Sequence, residues 1–179
     1  MRTKKIVITG GPGTGKSSII HKLEARGKEC LHEISRQVTL EAQKQGIEQL
    51  FLEEPLLFSQ KLLEGRIRQH QEAENMRQDL VFIDRGIHDV VAYMDFFDTE
   101  YSAEFTSACE IHKYHQVFIL PPWKEIYRSD NERYETYEEA QRISSCLIQT
   151  YKKYGYSPIE VPKATLTERT NFILNNLDV

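Results

Sequence analysis

Short apolar runs alternate along the chain with longer segments in which apolar residues recur every three or four positions. That alternation predicts an α/β fold, with parallel strands joined through helices. Ile6 to Ile8 is the first run, and Glu29 to Leu31 is a second that is too short to assign from periodicity alone. Leu80-Val81-Phe82-Ile83 and Val117-Phe118-Ile119-Leu120 are the third and fourth, the latter ended by Pro121-Pro122, and Pro158 to Val161 is the fifth. Between them, Ile19, Ile20 and Leu23 mark one helix, and Val38 and Ala42 a second that begins near Glu33. Pro55 opens a third helix, carried by Leu56, Leu63 and Ile67 and running to about Met76. A mixed apolar stretch from Val90 to Phe97 and a helical pattern from Phe105 to His112 precede the fourth strand. Tyr137, Ala140, Ile143, Leu147 and Tyr151 define a long helix stopped near Gly155, and a last helix runs from Leu166 to Leu177.

Composition narrows the class. At 179 residues, without a Gly/Ser/Pro-rich stretch long enough to be a linker, the chain reads as one domain over residues 1–179. A net charge of −4 offers no general attraction to nucleic acid or an anionic membrane, and neither is an expected partner. Arg66, Arg68 and His70 cluster on one predicted helix, but Glu64, Glu72 and Glu74 flank them, and the cluster reads as a solvated face. Cys30, Cys109 and Cys146 are odd in number and widely spaced, which fits a reducing, cytoplasmic setting. The apolar run after the basic residues Met1 to Lys5 is too short for a signal peptide, and no segment reaches the length of a membrane span. Among the six histidines no spacing suggests a metal site; His112 and His115 come closest.

Residues Gly10 to Ser17 read Gly-Gly-Pro-Gly-Thr-Gly-Lys-Ser, between the first strand and a helical pattern. In that context G-x-x-x-x-G-K-S is a phosphate-binding loop. Its backbone N–H groups converge at a helix N-terminus, where they surround the phosphates of a nucleotide. Gly11, Pro12, Gly13, Thr14, Gly15, Lys16, Ser17 and Ser18 are the expected ATP-binding residues. Lys16 reaches the β- and γ-phosphates and the Ser17 hydroxyl ligates Mg²⁺.

Three further groups carry candidate chemistry. Asp84-Arg85-Gly86 ends the third strand, at the edge of a parallel sheet where ligands sit, so Asp84 is the expected second anchor for Mg²⁺ and a catalytic candidate. Arg85 in place of a second acid suits transfer to an acceptor better than hydrolysis. Glu33 and Arg36 follow the second strand and are candidates for binding the acceptor, Glu33 also for receiving its proton; a helix-start carboxylate is the alternative reading of Glu33. Past Pro121-Pro122, roughly residues 122–134 form a charged, aromatic-bearing segment in the position of a lid, with Arg128 and Arg133 as the catalytic candidates on it. His88, two residues past Gly86, is a weaker candidate for lining the acceptor pocket.

Taken together, the loop Gly10 to Ser17, Glu33-x-x-Arg36, Asp84-Arg85-Gly86, Pro121-Pro122-Trp123 with Asp130-x-x-Arg133, Gly155-Tyr156-x-Pro158-x-Glu160-Val161-Pro162 and Glu168-Arg169 resemble the AAA-type ATPase/kinase-like domain group. Its members are similar to the ribosylnicotinamide-kinase domain of bacterial NAD regulators and, more distantly, to deoxynucleoside and thymidylate kinases. The resemblance implies a three-layer P-loop NTPase fold with a five-stranded parallel sheet, the phosphate-loop strand central, and a short lid. It also implies Mg²⁺-ATP, a nucleoside-like or other small-molecule acceptor, and a loop near the adenine around Pro162 to Thr165. Two function classes stand at this stage. One is a small-molecule kinase; the other is a nucleotide-binding switch or ATPase acting through a protein partner. A GTPase is disfavoured because the chain has neither N-K-x-D nor D-x-x-G. Gln60, Lys61, Arg66, His88, Asp89 and Tyr93 carry no readable acceptor code, and an exposed face on the Leu56 to Ile67 helix is where two copies would pair as a homodimer.

Overall fold

The computed structural model describes residues 3–76, 78–127 and 135–178. In chain order the elements are β1 (Lys4–Gly10), α1 (Lys16–Glu24), β2 (Glu29–Leu31), α2 (Ser35–Lys44), α3 (Leu50–Glu53), α4 (Pro55–Asn75) and β3 (Leu80–Asp84). They continue through α5 (Ile87–Phe96), α6 (Ala103–Ile111), β4 (Gln116–Leu120), α7 (Tyr137–Lys153), β5 (Ile159–Glu160) and α8 (Leu166–Asn175). The five strands form one parallel sheet in the order β2-β3-β1-β4-β5, with β1 at its centre.

Alternation along each strand divides the core into two layers. Ile6, Ile8, Phe82, Phe118 and Leu120 face one side, where Ile19, Ile20 and Leu23 of α1 and Ile173 of α8 cover them. Val7, Val81, Ile83 and Val117 face the other, against Ala73 of α4, Tyr114 and Tyr151 of α7. Ile119 extends that second layer against Ala92, Ile143 and Leu147. A further cluster of Val38, Leu50, Leu63, Val90, Met94 and Phe105 joins α2 through α6 beyond the sheet. Register then places the chemistry. Ile8 pairs with Asp84 and Leu31 with Ile83, so the carboxyl ends of β1, β3 and β2 deliver Gly10, Asp84 and the chain leading to Glu33 to one edge of the sheet.

Three elements differ from the sequence reading. Helix α5 starts at Ile87, directly after Gly86, because the Asp89 carboxylate turns back to accept from the Gly86 N–H at 2.9 Å and caps the first turn. The four-residue α3 carries too little pattern to announce itself. The third difference corrects the solvated-face reading of α4. Arg66 and His70 are 3% and 4% exposed and only Arg68 faces solvent, because Arg66, Gln69 and His70 continue the buried stripe begun by Leu62 and Leu63. Gly65 lets Ile34 pack against α4, since a Cβ there would clash with Ile34 Cδ1. Among the described residues no helix is long and apolar enough to cross a membrane.

Candidate active site

The loop after β1 turns through two left-handed glycines, Gly13 at φ 70° and Gly15 at φ 87°. A side chain at either would meet protein as well as strain: Tyr127 Cδ2 lies 2.8 Å from a Cβ on Gly13, and Arg169 Nη1 2.9 Å from one on Gly15. Thr14 Oγ1 donates to the Gly11 carbonyl at 2.9 Å and Lys16 Nζ to the same carbonyl at 2.8 Å, which holds the loop curled over its own lysine. Burial, with Arg85 as a second cause, brings the Lys16 ammonium down to about 7 against the opposing pull of Asp84 and Glu33. Ser17 and Ser18 stand exposed in the first turn of α1, which begins at Lys16.

Asp84 is 4% exposed, and its Oδ1 has no hydrogen-bond partner among the described residues. Burial raises its pKa, while Lys16 and Arg85 pull the other way. A buried carboxylate oxygen without a donor is costly, so its place beside the loop lysine is a feature of this edge that packing does not explain.

Glu33 is gripped from three sides. Its Oε1 accepts from the N–H groups of Ile34 (2.9 Å) and Ser35 (3.0 Å) at the start of α2 and from Arg66 Nη2 at 3.0 Å, and Arg85 Nε lies 2.7 Å from Oε2. Burial works to raise its pKa, but Arg66, Arg85 and the Ser35 N–H outweigh it and hold the carboxyl at about 2. The helix-start reading of Glu33 describes these contacts, and a carboxyl held this low by two guanidiniums is poorly suited to receive a proton. Arg36, its sequence neighbour, is exposed; the guanidiniums that meet Glu33 are those of Arg66 and Arg85. Arg85 occupies the left-handed region at φ 68°, unusual for a side-chain-bearing residue, and its N–H bonds the Ile8 carbonyl at 3.0 Å. Its Nη1 lies 3.3 Å from Asp89 Oδ1, and its guanidinium sits 5.4 Å from the Tyr93 ring centre. Asp89 also accepts from Thr9 Oγ1 at 2.5 Å and from the Tyr151 hydroxyl at 2.6 Å. Asp89 and Arg66 are thus the residues whose part in this network was missed. The signal for Arg66 was its place on the apolar stripe of α4; Asp89 had none.

On the other side of the loop, Arg169 of α8 donates from Nη2 to the Thr14 carbonyl at 2.7 Å and lies 5.8 Å from the Trp123 ring centre. The loop Pro162 to Thr165 leads into α8, with Pro162 exposed at the end of β5 and Thr165 capping the helix. The segment after Pro122 brings the Tyr127 ring close to Gly13. Arg128 and Arg133 lie outside the described residues.

His88 does not line a pocket. It is fully buried, stacked on Tyr151 at 5.0 Å and edged by Tyr154, Tyr156 and Tyr114, with the Cys109 backbone only partly offsetting its burial. Burial lowers both His88 and His70 to about 4. Because an unfolded histidine titrates near 6.5, the unfolded chain binds more protons between about pH 6.5 and 4, so stability falls as pH drops through that window. Each such histidine removes up to about 1.4 kcal/mol per pH unit there. Replacing His88 with Phe should flatten the dependence of the urea midpoint on pH; an unchanged slope would contradict this.

A phosphate loop, a parallel sheet of this order and an Asp-Arg turn facing the loop define a P-loop kinase-like fold, similar to nucleoside and nucleotide kinases. The family model for an AAA domain matches residues 5–169, and the chain belongs to that family. Its fold is similar to deoxyadenosine kinase from M. mycoides, in a structure with the products dCMP and dCDP: 19% identity, TM-score 0.71, 97% of this chain and 98% of that one. Thymidylate kinase from Candida albicans aligns at 15% identity and TM-score 0.70, over 97% and 90% of the two chains. NadR in complex with NR aligns at 14% and 0.71, over 97% of this chain and 49% of that one. No curated protein matches the chain.

Proposed function

We propose that this protein is an ATP-dependent phosphotransferase that moves the γ-phosphoryl group to a hydroxyl of a small, nucleoside-like acceptor. The observation that carries the reading is the partnerless, buried Asp84 Oδ1 beside Lys16, with the Glu33–Arg66–Arg85–Asp89 network next to it. The loop N–H groups and Lys16 hold the triphosphate, and the adenine lies toward Pro162 to Thr165. Ser17 and Asp84 are the residues that would hold Mg²⁺, which supplies positive charge against the phosphate oxygens; an oxygen without a donor at Asp84 fits that use. The transferring phosphoryl group carries its charge on three equatorial oxygens, so alignment and fixed cations matter more than a strong base. Asp84 orients the attacking hydroxyl. Arg85, locked by Glu33 and Asp89, faces the phosphoryl or acceptor anion without having to reorganise, and a lid arginine, Arg133 before Arg128, closes the site against water.

Glu33 tests the acceptor half of this reading. Glu33→Gln keeps the shape but weakens the hold on two guanidiniums, so acceptor KM should rise about tenfold or more while ATP KM changes by less than about twofold. ADP formation measured against an acceptor panel gives both constants. A variant with normal constants for both substrates would leave Glu33 as a helix-start carboxylate alone, and a parent whose turnover no acceptor stimulates would contradict the reading.

A further inference from the structure

The sequence shows no histidine spacing suited to a metal, yet the fold gathers one. His21 and Glu24 lie three positions apart at the end of α1, on the same face of the helix. His32 follows β2, which pairing with β3 brings alongside that helix. The Nε2 of His32 is 2.6 Å from Glu24 Oε1, and the His21 and His32 ring centres are 5.8 Å apart. One ligand atom from each of the three residues lies within 4.8 Å of the others, and all three side chains are exposed.

We propose that His21, Glu24 and His32 form a binding site for a borderline divalent transition ion of the Zn²⁺ type. A tetrahedral ion with its nitrogen and oxygen ligands at about 2.1 Å needs those atoms about 3.4 Å apart. His32 and Glu24 are closer than that as a hydrogen-bonded pair, His21 stands further out, and small rotations of three exposed side chains close the difference. Two imidazoles and one carboxylate select Zn²⁺, Co²⁺, Ni²⁺ or Cu²⁺ over Mg²⁺, which requires an octahedron of oxygens. The site therefore does not compete for the magnesium of a nucleotide. Three protein ligands leave a fourth position open to water, and the ion exchanges freely with solvent. The site is at the opposite end of α1 from the phosphate loop.

Occupancy ties the end of α1 to the chain leaving β2. The His32 carbonyl already accepts from Gln69 Nε2 at 2.6 Å, and the next residue is Glu33. A bound ion thus stiffens the segment that carries Glu33, whatever reaction the protein performs.

Co²⁺ titration of the full chain tests the site through the visible absorption of a tetrahedral ion. We expect a saturable band that Zn²⁺ abolishes and millimolar Mg²⁺ leaves intact. His21→Ala and His32→Ala should each weaken the apparent affinity by about tenfold or more. Zn²⁺ should raise the thermal midpoint of the parent and of neither variant. Because the residues are exposed, the variants should keep the parent's circular dichroism. The His21→Ala variant separates a metal site from a simple His32–Glu24 ion pair. No band in the parent, or equal Co²⁺ binding by parent and both variants, which would assign the ion to the thiols or to other histidines, would overturn the proposal.

Discussion

Replacing Lys16 with Ala should abolish the stabilisation that Mg-ATP confers, with nucleotide affinity falling about 10²-fold or more. Lys16 is the cation built into the phosphate loop, and the loop curls around it through the shared Gly11 carbonyl. Its ammonium is held down to about 7 by burial and by Arg85, so on this account phosphates beside it should restore its charge and nucleotide should bind together with a proton. Its hydrogen bonds lie within the loop, to Gly11 and Thr14, so the variant should stay folded. Ser17→Ala should behave differently, leaving metal-free nucleotide binding nearly intact and weakening the Mg²⁺-dependent part. Isothermal titration with and without Mg²⁺ separates the two. A Lys16→Ala protein that binds Mg-ATP like the parent would refute the phosphate-loop reading, and equal losses for Ser17→Ala in both conditions would refute its metal role.

The second large effect is expected at Asp84. Asp84→Asn keeps the shape and removes a buried charge that burial already disfavours, so stability should be unchanged or higher while kcat falls on the order of 10²-fold or more. That opposition is informative. A residue kept for packing would lose stability when replaced, whereas a residue kept for chemistry gives up stability for activity. Chemical unfolding and steady-state turnover on the same preparation measure both. Loss of stability with normal kcat would make Asp84 a structural residue.

How much of this was legible along the chain depended on the distance over which each signal acts. The strands at Leu80 and Val117 announced themselves as four consecutive apolar residues, and the phosphate loop as eight contiguous ones. The second strand, three residues long and half exposed, was too short for periodicity to assign. Arg66 and His70 were misread because charge suggested solvent, whereas the 3.6-residue period of Leu62, Leu63, Gln69 and Ala73 placed them inside. That period was in the sequence and outweighs composition when the two conflict. Asp89 was not legible as a network centre, since Thr9 and Tyr151 are 80 and 62 residues away. Glu168-Arg169 carried part of the resemblance, but the contact of Arg169 with the phosphate loop, across 155 residues, was not legible. His21 and His32 meet only because β2 pairs beside β3. Local motifs thus pointed to the loop after β1 and to Glu33, Asp84 and Arg85, while the contacts of Glu33 and Arg85 with Arg66 and Asp89 are assembled by the sheet edge and were not legible in sequence.

The central claim is phosphoryl transfer, and the most direct measurement follows the label of γ-labelled ATP into products across a panel of nucleosides, vitamins and sugars, with inorganic phosphate counted in the same reactions. The account predicts that at least one acceptor takes up label faster than water does, and that Arg133→Ala lowers this transfer by roughly 10²-fold with ATP affinity changed by less than about tenfold. Label appearing only as inorganic phosphate whatever the acceptor, with turnover altered instead by a protein partner, would contradict it and make the protein a nucleotide-dependent switch.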